Sequence, residues 1–204
     1  MQNLDGTWLM IKSADNYSSP EFIEFHTNKI IHFELEKTSE DKISKKTSKW
    51  EENLSESKYE FVNDNRIRIY RMGKTHKVIS KKESITRDIE FATDYERIIT
   101  TKTKLSVKKI QELEFEAEWN DNKFLIIFNK NLDSPIVKEI NKKFNREGKK
   151  LVLENLQGTY FVSIFEDGYR ETLIGIKEID EEKAILFGFP DLPYEITAKS
   201  IKKH

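Results

Sequence analysis

The chain has 204 residues, with 35 Lys or Arg against 36 Asp or Glu, so its net charge is −1. The missing basic excess argues against a nucleic-acid-binding protein, and an aromatic content of 11% excludes a disordered chain. The absence of cysteine excludes disulfides and thiolate metal sites. No apolar run reaches the length of a membrane span, and no leader is apparent. The sequence as written therefore predicts a cytoplasmic protein, or a periplasmic or secreted one if a leader has been removed.

The first strong pattern after the N-terminal strand is a hairpin around residues 27–29. A three-residue loop there would set Phe25 opposite Ile31 on the apolar face. The other face would then pair Glu24 with His32, which is chemically reasonable. The pattern predicts two strands joined by this loop.

Polar residues dominate 37–49, which predicts a mobile loop or an edge strand.

The next hairpin has Asn-Asp-Asn at residues 63–65, residue types that suit tight turns. A three-residue loop sets Phe61 opposite Ile67, and the same register sets Tyr59 opposite Ile69. Residues 74–103 are rich in Thr and Ile and favour further strands over a helix.

A second Asn-Asp-Asn turn stands at residues 120–122. A two-residue turn at Asp121 and Asn122 puts the apolar residues of both strands on one face, whereas a three-residue loop would mix them with glutamates. Burial therefore favours the two-residue turn. The predicted pairs are Trp119 with Phe124, Ala117 with Ile126, and Phe115 with Phe128.

One main helix is predicted, and it begins at Ser134 as N-cap with Pro135 in the first helical position. Gly148 is expected to end it. The helix should pack its apolar side on a sheet as a cover or plug. That side consists of Ile136, Val137, Ile140 and Phe144. Ser106 is expected to cap a short turn through Ile110.

Short strands resume after the helix and are joined mainly by hairpins, as in a meander. They are predicted at residues 151–153, 160–165, 169–179, 184–189 and 194–201.

The chain opens with a glycine two residues before a tryptophan that begins an apolar strand, Gly6-Thr7-Trp8. This motif resembles the Gly-x-Trp opening of lipocalins and the wider calycin group, including bacterial lipocalin-like proteins that begin Leu-x-Gly-x-Trp. The resemblance implies that Gly6 and Trp8 are structural residues at the start of the first barrel strand. A related stretch, with Gly158 and Tyr160 in the matching places, recurs downstream.

The predicted fold class is all-β with one helix, in an antiparallel up-and-down lipocalin-like β-barrel. The number of strands exceeds a minimal eight-stranded barrel, so the barrel is either enlarged or replaced by two packed sheets. A single domain over 1–204 is preferred. The alternative is a division into 1–105 and 106–204.

No enzyme motif is found, so the protein is predicted not to be an enzyme. The four histidines lack the convergent spacing of a metal site, and neither a metal nor a cofactor is expected. Alternating glutamates at 112–118 are interpreted as a solvated strand face.

The aromatic residues of the barrel strands are the remaining functional candidates, because a cavity among them could take a small apolar or amphipathic ligand. Trp119 would be the fluorescence reporter of such binding. The alternative is a protein-interaction module, such as an inhibitor or immunity-type protein, with a protein partner in place of the ligand. The candidate ligand-binding residues are Tyr59, Phe61, Phe115, Trp119, Phe124 and Tyr160.

Overall fold

The structure is a computed structural model that describes residues 3–12, 21–39, 42–80, 83–119, 121–189 and 195–201. Only the backbone is described at residues 12, 37–39, 42–43, 47–49, 78, 80, 83 and 119. The described residues are mostly in strands, with few in helices, which confirms the all-β class. The strands form two antiparallel sheets that pack together, and one of them is curled into a half-barrel. The fold is therefore barrel-like.

The N-terminal sheet contains the first seven described strands in the order β5-β6-β7-β1-β2-β3-β4. Its inner face carries a core of buried apolar residues around Trp8 and Tyr95. A 3-10 helix at Leu54–Glu56 leads from β4 to β5. The strands are β1 (Thr7–Lys12), β2 (Glu21–His26), β3 (Lys29–Ser39), β4 (Lys42–Asn53), β5 (Lys58–Asn63), β6 (Arg66–Ser80) and β7 (Glu83–Arg97).

The C-terminal sheet contains the other seven strands, in the order β10-β11-β12-β13-β14-β8-β9. Its two edges approach each other, since Phe128 after β9 bridges to Leu151 on β10. The sheet is thus curled around its own apolar core. The strands are β8 (Glu114–Trp119), β9 (Asn122–Ile127), β10 (Lys149–Leu156), β11 (Thr159–Glu166), β12 (Tyr169–Ile179), β13 (Lys183–Phe187) and β14 (Glu195–Ser200).

The two sheets meet along an edge and through a shared apolar cluster. The edge contact is the parallel pair of Lys42 with Asn155. In the cluster, Leu9 and Phe22 of the N-terminal sheet pack with residues of β10, β11 and β12, among them Phe161. The rings of Phe22 and Phe161 meet edge to face at 6.1 Å. Each sheet uses one half of the chain, and the single-domain assignment over 1–204 stays a prediction.

The predicted register of the hairpin at residues 63–65 is confirmed. Phe61 lies opposite Ile67, and Tyr59 lies opposite Ile69. These four residues share the inner face of the N-terminal sheet, so burial and turn chemistry agree on one register.

The predicted register of the β2–β3 hairpin is wrong by one residue. The turn contains two residues rather than three, so that Phe25 lies opposite Ile30 and Glu24 lies opposite Ile31. His32 therefore faces inward, opposite Ile23, instead of pairing with Glu24. A slip of one residue exchanges the two faces of a strand, which is how a histidine expected outside becomes buried.

The β8–β9 hairpin has the predicted faces but a different register. Ala117 lies opposite Phe124, and Phe115 lies opposite Ile126, each two positions from the predicted partner. A shift of two residues keeps every side chain on its face. Phe115 and Ala117 are accordingly fully buried.

The two helices begin where the sequence predicts, but the main helix does not act as a cover. Helix α1 (Val107–Glu112) is capped by Ser106, and α2 (Pro135–Lys143) is capped by Ser134. Helix α2 ends before Gly148, and it buries none of its residues. The expected packing of its apolar side on a sheet is therefore wrong. None of the helices among the described residues is long and apolar enough to cross a membrane.

The opening motif has the structural role that its pattern predicts. Gly6 has a φ of +100°, a conformation that favours glycine, and it turns the chain into β1. Trp8 is fully buried, and its indole N–H donates a hydrogen bond to the Leu4 carbonyl at 3.1 Å. The Arg97 guanidinium lies 4.4 Å from the centre of the Trp8 ring. Tyr160 in the related stretch is partly buried against the C-terminal core.

Candidate functional site

The residues predicted to bind a ligand fall into two separate places. Tyr59 and Phe61 lie on β5, where their rings meet at 6.3 Å and Phe61 packs against the N-terminal core. Phe115, Phe124 and Tyr160 belong to the core of the C-terminal sheet. Trp119 lies in β8, and its side chain is outside the described part of the chain. The structure therefore does not gather these side chains into one site, and their ligand-binding role stays a prediction.

A cluster of polar side chains lies on the inner face of the N-terminal sheet, and we call it the His32 cluster. It consists of Glu21, His32, Glu52, Arg71 and Tyr95, which come from five different strands. The side chain of His32 is 1% exposed, with Nδ1 2.6 Å from Glu21 and Nε2 2.7 Å from Glu52. Both ring nitrogens can donate to these carboxylates only when the imidazole is protonated. The geometry thus favours a buried imidazolium between two carboxylates.

The other two members complete the cluster from β6 and β7. The Arg71 Nε donates a hydrogen bond to Glu52 at 2.7 Å, and the Tyr95 hydroxyl donates one to Glu21 at 3.3 Å. Each carboxylate is therefore shared between two donors. Such sharing is what buried charges require in order to stay ionised.

The pKa values of His32 and Glu52 are shifted toward the charged forms, and that of Tyr95 toward the neutral form. Burial by itself lowers the pKa of His32, but the hydrogen bonds to Glu21 and Glu52 outweigh it, and the pKa is raised. Burial by itself raises the pKa of Glu52, but the hydrogen bond from His32 and the charge of Arg71 outweigh it, and the pKa is lowered. Burial raises the pKa of Tyr95, so its hydroxyl stays protonated at neutral pH.

An open groove borders the His32 cluster where β4 and the 3-10 helix run beside β5 and β6. We call it the Trp50 groove, and its volume is about 480 Å³. Its apolar side chains are Trp50 and Met72, which are 50% and 68% exposed. Glu52 and Arg71 form the border that it shares with the His32 cluster. The remaining lining residues are Asn53, Glu56, Ser57, Lys58, Tyr70 and Glu90.

One ring contact and one unpaired donor stand where the groove meets the cluster. The Trp50 indole stacks on the His32 ring, with centroids 3.9 Å apart. The terminal Nη2 of Arg71 is buried and has no hydrogen-bond partner among the described residues. Because a buried donor without an acceptor is costly, the Arg71 guanidinium can donate a hydrogen bond to an oxygen supplied from outside the chain. The groove therefore combines an apolar wall with a charged donor.

Sequence reasoning missed the His32 cluster and the groove. Glu21, Glu52 and Arg71 are far apart in the chain, and nothing local marks them as partners. The available signal was His32 itself, a polar residue between the apolar Ile31 and Phe33 in a strand. In the correct register that position faces inward, where a histidine needs partners.

The remaining histidines do not add to the cluster. His26 and His76 are exposed, and His204 lies outside the described residues. No group of three or more His, Cys, Asp or Glu side chains that could hold a metal ion is found in the described part of the chain.

Comparison with known proteins leaves the family open. No model of a protein family matches the chain, and neither a curated protein nor a solved structure matches it. The function is therefore argued from the site alone.

Proposed function

We propose that the protein is a non-enzymatic, lipocalin-like binding protein that holds one small amphipathic ligand in the Trp50 groove. The ligand would place an aromatic or aliphatic body against Trp50 and Met72, and an oxygen acceptor near Arg71. The observation that carries the proposal is the buried, unpartnered Nη2 of Arg71 beside an exposed apolar wall.

The dimensions and chemistry of the groove support this class of ligand. A volume of about 480 Å³ falls within the range of small-molecule sites, about 300–1,000 Å³. Trp50 and Met72 are exposed apolar side chains that gain from being covered. Ion pairs of Arg71 with Glu52 and of Lys58 with Glu90 lie along the groove. The eight lining residues other than Trp50 and Met72 are polar or charged, which favours an amphipathic ligand over a wholly apolar one.

The sheets and the opening motif support the lipocalin-like part of the proposal. The Gly6-Thr7-Trp8 opening carries the resemblance, and a barrel-like antiparallel fold is what the resemblance implies. The proposed site differs from the one predicted from sequence, because the groove lies at an open side of the N-terminal sheet. Its natural fluorescence reporter is accordingly Trp50 rather than Trp119.

Titration with amphipathic fluorescent probes tests the proposal. Anilinonaphthalene sulfonate and cis-parinaric acid each carry an apolar body and an anionic head, and we expect saturable binding of one molecule with quenching of tryptophan. Trp50→Phe should remove the quenching, whereas Trp119→Phe should keep it. Binding without saturation, or quenching that only Trp119→Phe removes, would refute the groove as the site.

Two matched substitutions on the β6–β7 hairpin separate the groove from the rest of the surface. Met72→Glu should weaken probe binding at least tenfold. Ile89→Glu should leave it unchanged, because Ile89 lies opposite Gly73 and Met72 lies opposite Glu90, so the two residues are on different faces. Both residues are exposed, so that both variants should fold. Arg71→Gln should weaken binding of the anionic probes while leaving their apolar contacts in place.

A second candidate, the protein-interaction module, has one observation in its favour. The β6–β7 hairpin is long, with 15 residues in each strand, and Ile85 and Ile89 are exposed on one face of it. Exposed apolar residues on a sheet face are typical of docking surfaces.

Native mass spectrometry of protein purified from its own host separates the two candidates. A retained small molecule favours the first. A stoichiometric protein partner that is lost in Ile85→Lys but kept in Met72→Glu favours the second.

A further inference from the structure

Helix α2 presents its apolar side to solvent. Ile136, Ile140 and Phe144 are spaced at four-residue intervals, which places them on one face of the helix. They are 72%, 48% and 62% exposed, and Val137 beside them is 40% exposed. An amphipathic helix that buries none of its residues leaves its apolar face exposed to water.

The helix is held in this orientation by contacts on its other side. Asn141 donates a hydrogen bond from its side-chain amide to Asp133 at 2.9 Å. The same Asp133 oxygen accepts the backbone N–H of Lys149, at the start of β10. Asn141 is partly buried, in contrast to the outward residues. The apolar face is therefore turned away from the sheet by a defined attachment.

Two further exposed apolar side chains lie in segments next to α2. Leu132 precedes the helix and is 37% exposed, and Tyr169 is 76% exposed. The turn before Tyr169 is tied to the segment after α2, because the Gly148 N–H donates to Asp167 and the Asp167 N–H donates to the Gly148 carbonyl. We call the resulting surface the α2 patch. It consists of Leu132, Ile136, Val137, Ile140, Phe144 and Tyr169.

The segment that carries α2 is rich in basic residues. The segment 130–150 contains seven Lys or Arg against three Asp or Glu, in a chain whose net charge is −1. Lys143 and Arg146 lie 6.0 and 5.8 Å from the centre of the Phe144 ring. Lys138 and Lys142 form no ion pair with any described residue. The segment that carries the helix thus has a net positive charge, part of it in ion pairs with Glu114, Asp167 and Glu147.

We propose that the α2 patch docks the protein on the surface of an anionic lipid bilayer. Apolar side chains on one face of a helix with lysines beside them are typical of helices that lie in the membrane interface. Since α2 buries none of its residues, its apolar face is accessible to a deformable surface. The positive charge of the segment complements the negative charge of anionic lipids. This docking is peripheral and independent of the Trp50 groove.

Sedimentation with lipid vesicles tests the docking. The full chain should pellet with vesicles of phosphatidylcholine and phosphatidylglycerol, and it should not pellet with phosphatidylcholine alone. Binding should weaken as salt rises, since the charged part of the attraction is screened. Replacing Lys142 and Lys143 by Glu should reduce it at least tenfold.

A matched pair of apolar substitutions tests the helix face. Ile140→Ser should reduce vesicle binding at least tenfold, while Leu125→Ser on β9 should leave it unchanged. The two residues are 48% and 46% exposed, so that both variants should fold. Phe144→Trp should show a blue shift of its fluorescence on anionic vesicles, because the indole leaves water.

Three results would overturn the docking proposal. The first is no binding to anionic vesicles at low salt, and the second is binding that Ile140→Ser and Leu125→Ser affect equally. The third is self-association of the protein in solution that Ile140→Ser abolishes, which would assign the α2 patch to contact between two copies of the chain. None of these results depends on probe binding in the Trp50 groove.

Discussion

Replacing Trp8 by alanine should destabilise the protein far more than the same change at Trp50. Trp8 is 0% exposed, and it meets Phe25 and Phe61 edge to face at 6.2 and 6.4 Å. It also donates a hydrogen bond to the Leu4 carbonyl and lies under the Arg97 guanidinium. All of these contacts are lost together in Trp8→Ala.

The expected size of the effect follows from these contacts. A fully buried tryptophan removes up to about 250 Å² from water, which at about 25 cal/mol per Å² gives about 6 kcal/mol as an upper bound. Measured truncations of buried aromatic residues fall at about 3–5 kcal/mol. We expect Trp8→Ala to lie in the upper half of that range, since a hydrogen bond and the Arg97 contact are lost as well. Trp8→Phe, which keeps one ring in place, should cost about 1–2 kcal/mol.

Urea denaturation followed by far-ultraviolet circular dichroism measures this loss. Trp50→Ala is the matched control, because Trp50 is 50% exposed and should cost about 1 kcal/mol. In thermal unfolding, a loss of about 4 kcal/mol should lower the Tm of a chain of this size by about 10 °C. If Trp8→Ala and Trp50→Ala lowered the free energy of unfolding equally, Trp8 would not be the central residue of the N-terminal core.

Two further predictions concern the faces of β8 and the charge of the His32 cluster. Ala117→Glu should be severely destabilising, because position 117 is 0% exposed and the new carboxylate would be buried. Glu116→Gln should change the free energy of unfolding by less than about 0.5 kcal/mol. The reverse order in urea denaturation would show that the faces are misassigned. Because folding raises the pKa of His32, its contribution to stability is present below the ordinary histidine pKa of about 6.5 and is lost as pH rises through the raised value. The Tm of the wild type should therefore fall more steeply above about pH 6.5 than the Tm of His32→Gln. The control is His26→Gln, because His26 is exposed. Parallel pH profiles of the wild type and His32→Gln would contradict a charged His32.

Local chemistry was sufficient to predict most of the elements from the sequence. Ser106 and Ser134 predict where the two helices begin, because each side chain accepts a hydrogen bond from a backbone N–H of the first helical turn. The hairpin after Phe61 was predicted with its register, since its apolar residues occupy only one face. Where the turn chemistry and the burial pattern point to the same arrangement, one sequence is enough.

The β2–β3 hairpin could not be predicted in the same way because both of its faces are apolar. Ile23 and Ile30 belong to the N-terminal core, whereas Phe22 and Phe33 pack in the cluster between the sheets. Alternation of polar and apolar residues therefore does not choose a register. The buried position of His32 depends on that register, so the candidate site was missed together with it.

The exposed side of α2 was mispredicted for a related reason. An apolar stripe such as that from Ile136 to Phe144 indicates that a helix covers something, but it does not identify what is covered. In this chain the sheets fill their own interiors with residues such as Phe115, and the described structure leaves the stripe uncovered.

The strand orders have a consequence for how the chain folds. Most neighbouring strands are joined by short turns, but each sheet also needs one pairing between distant segments: Trp8 with Arg97, and Ala117 with Ala198. These partners are about 90 and 80 residues apart, and closing such long loops is an entropically costly and slow event. We therefore expect the hairpins to form early and each sheet to be completed late, when its one distant pairing is made. During synthesis, β1 can pair with β2 early, but its other edge stays unpaired until β7 has emerged.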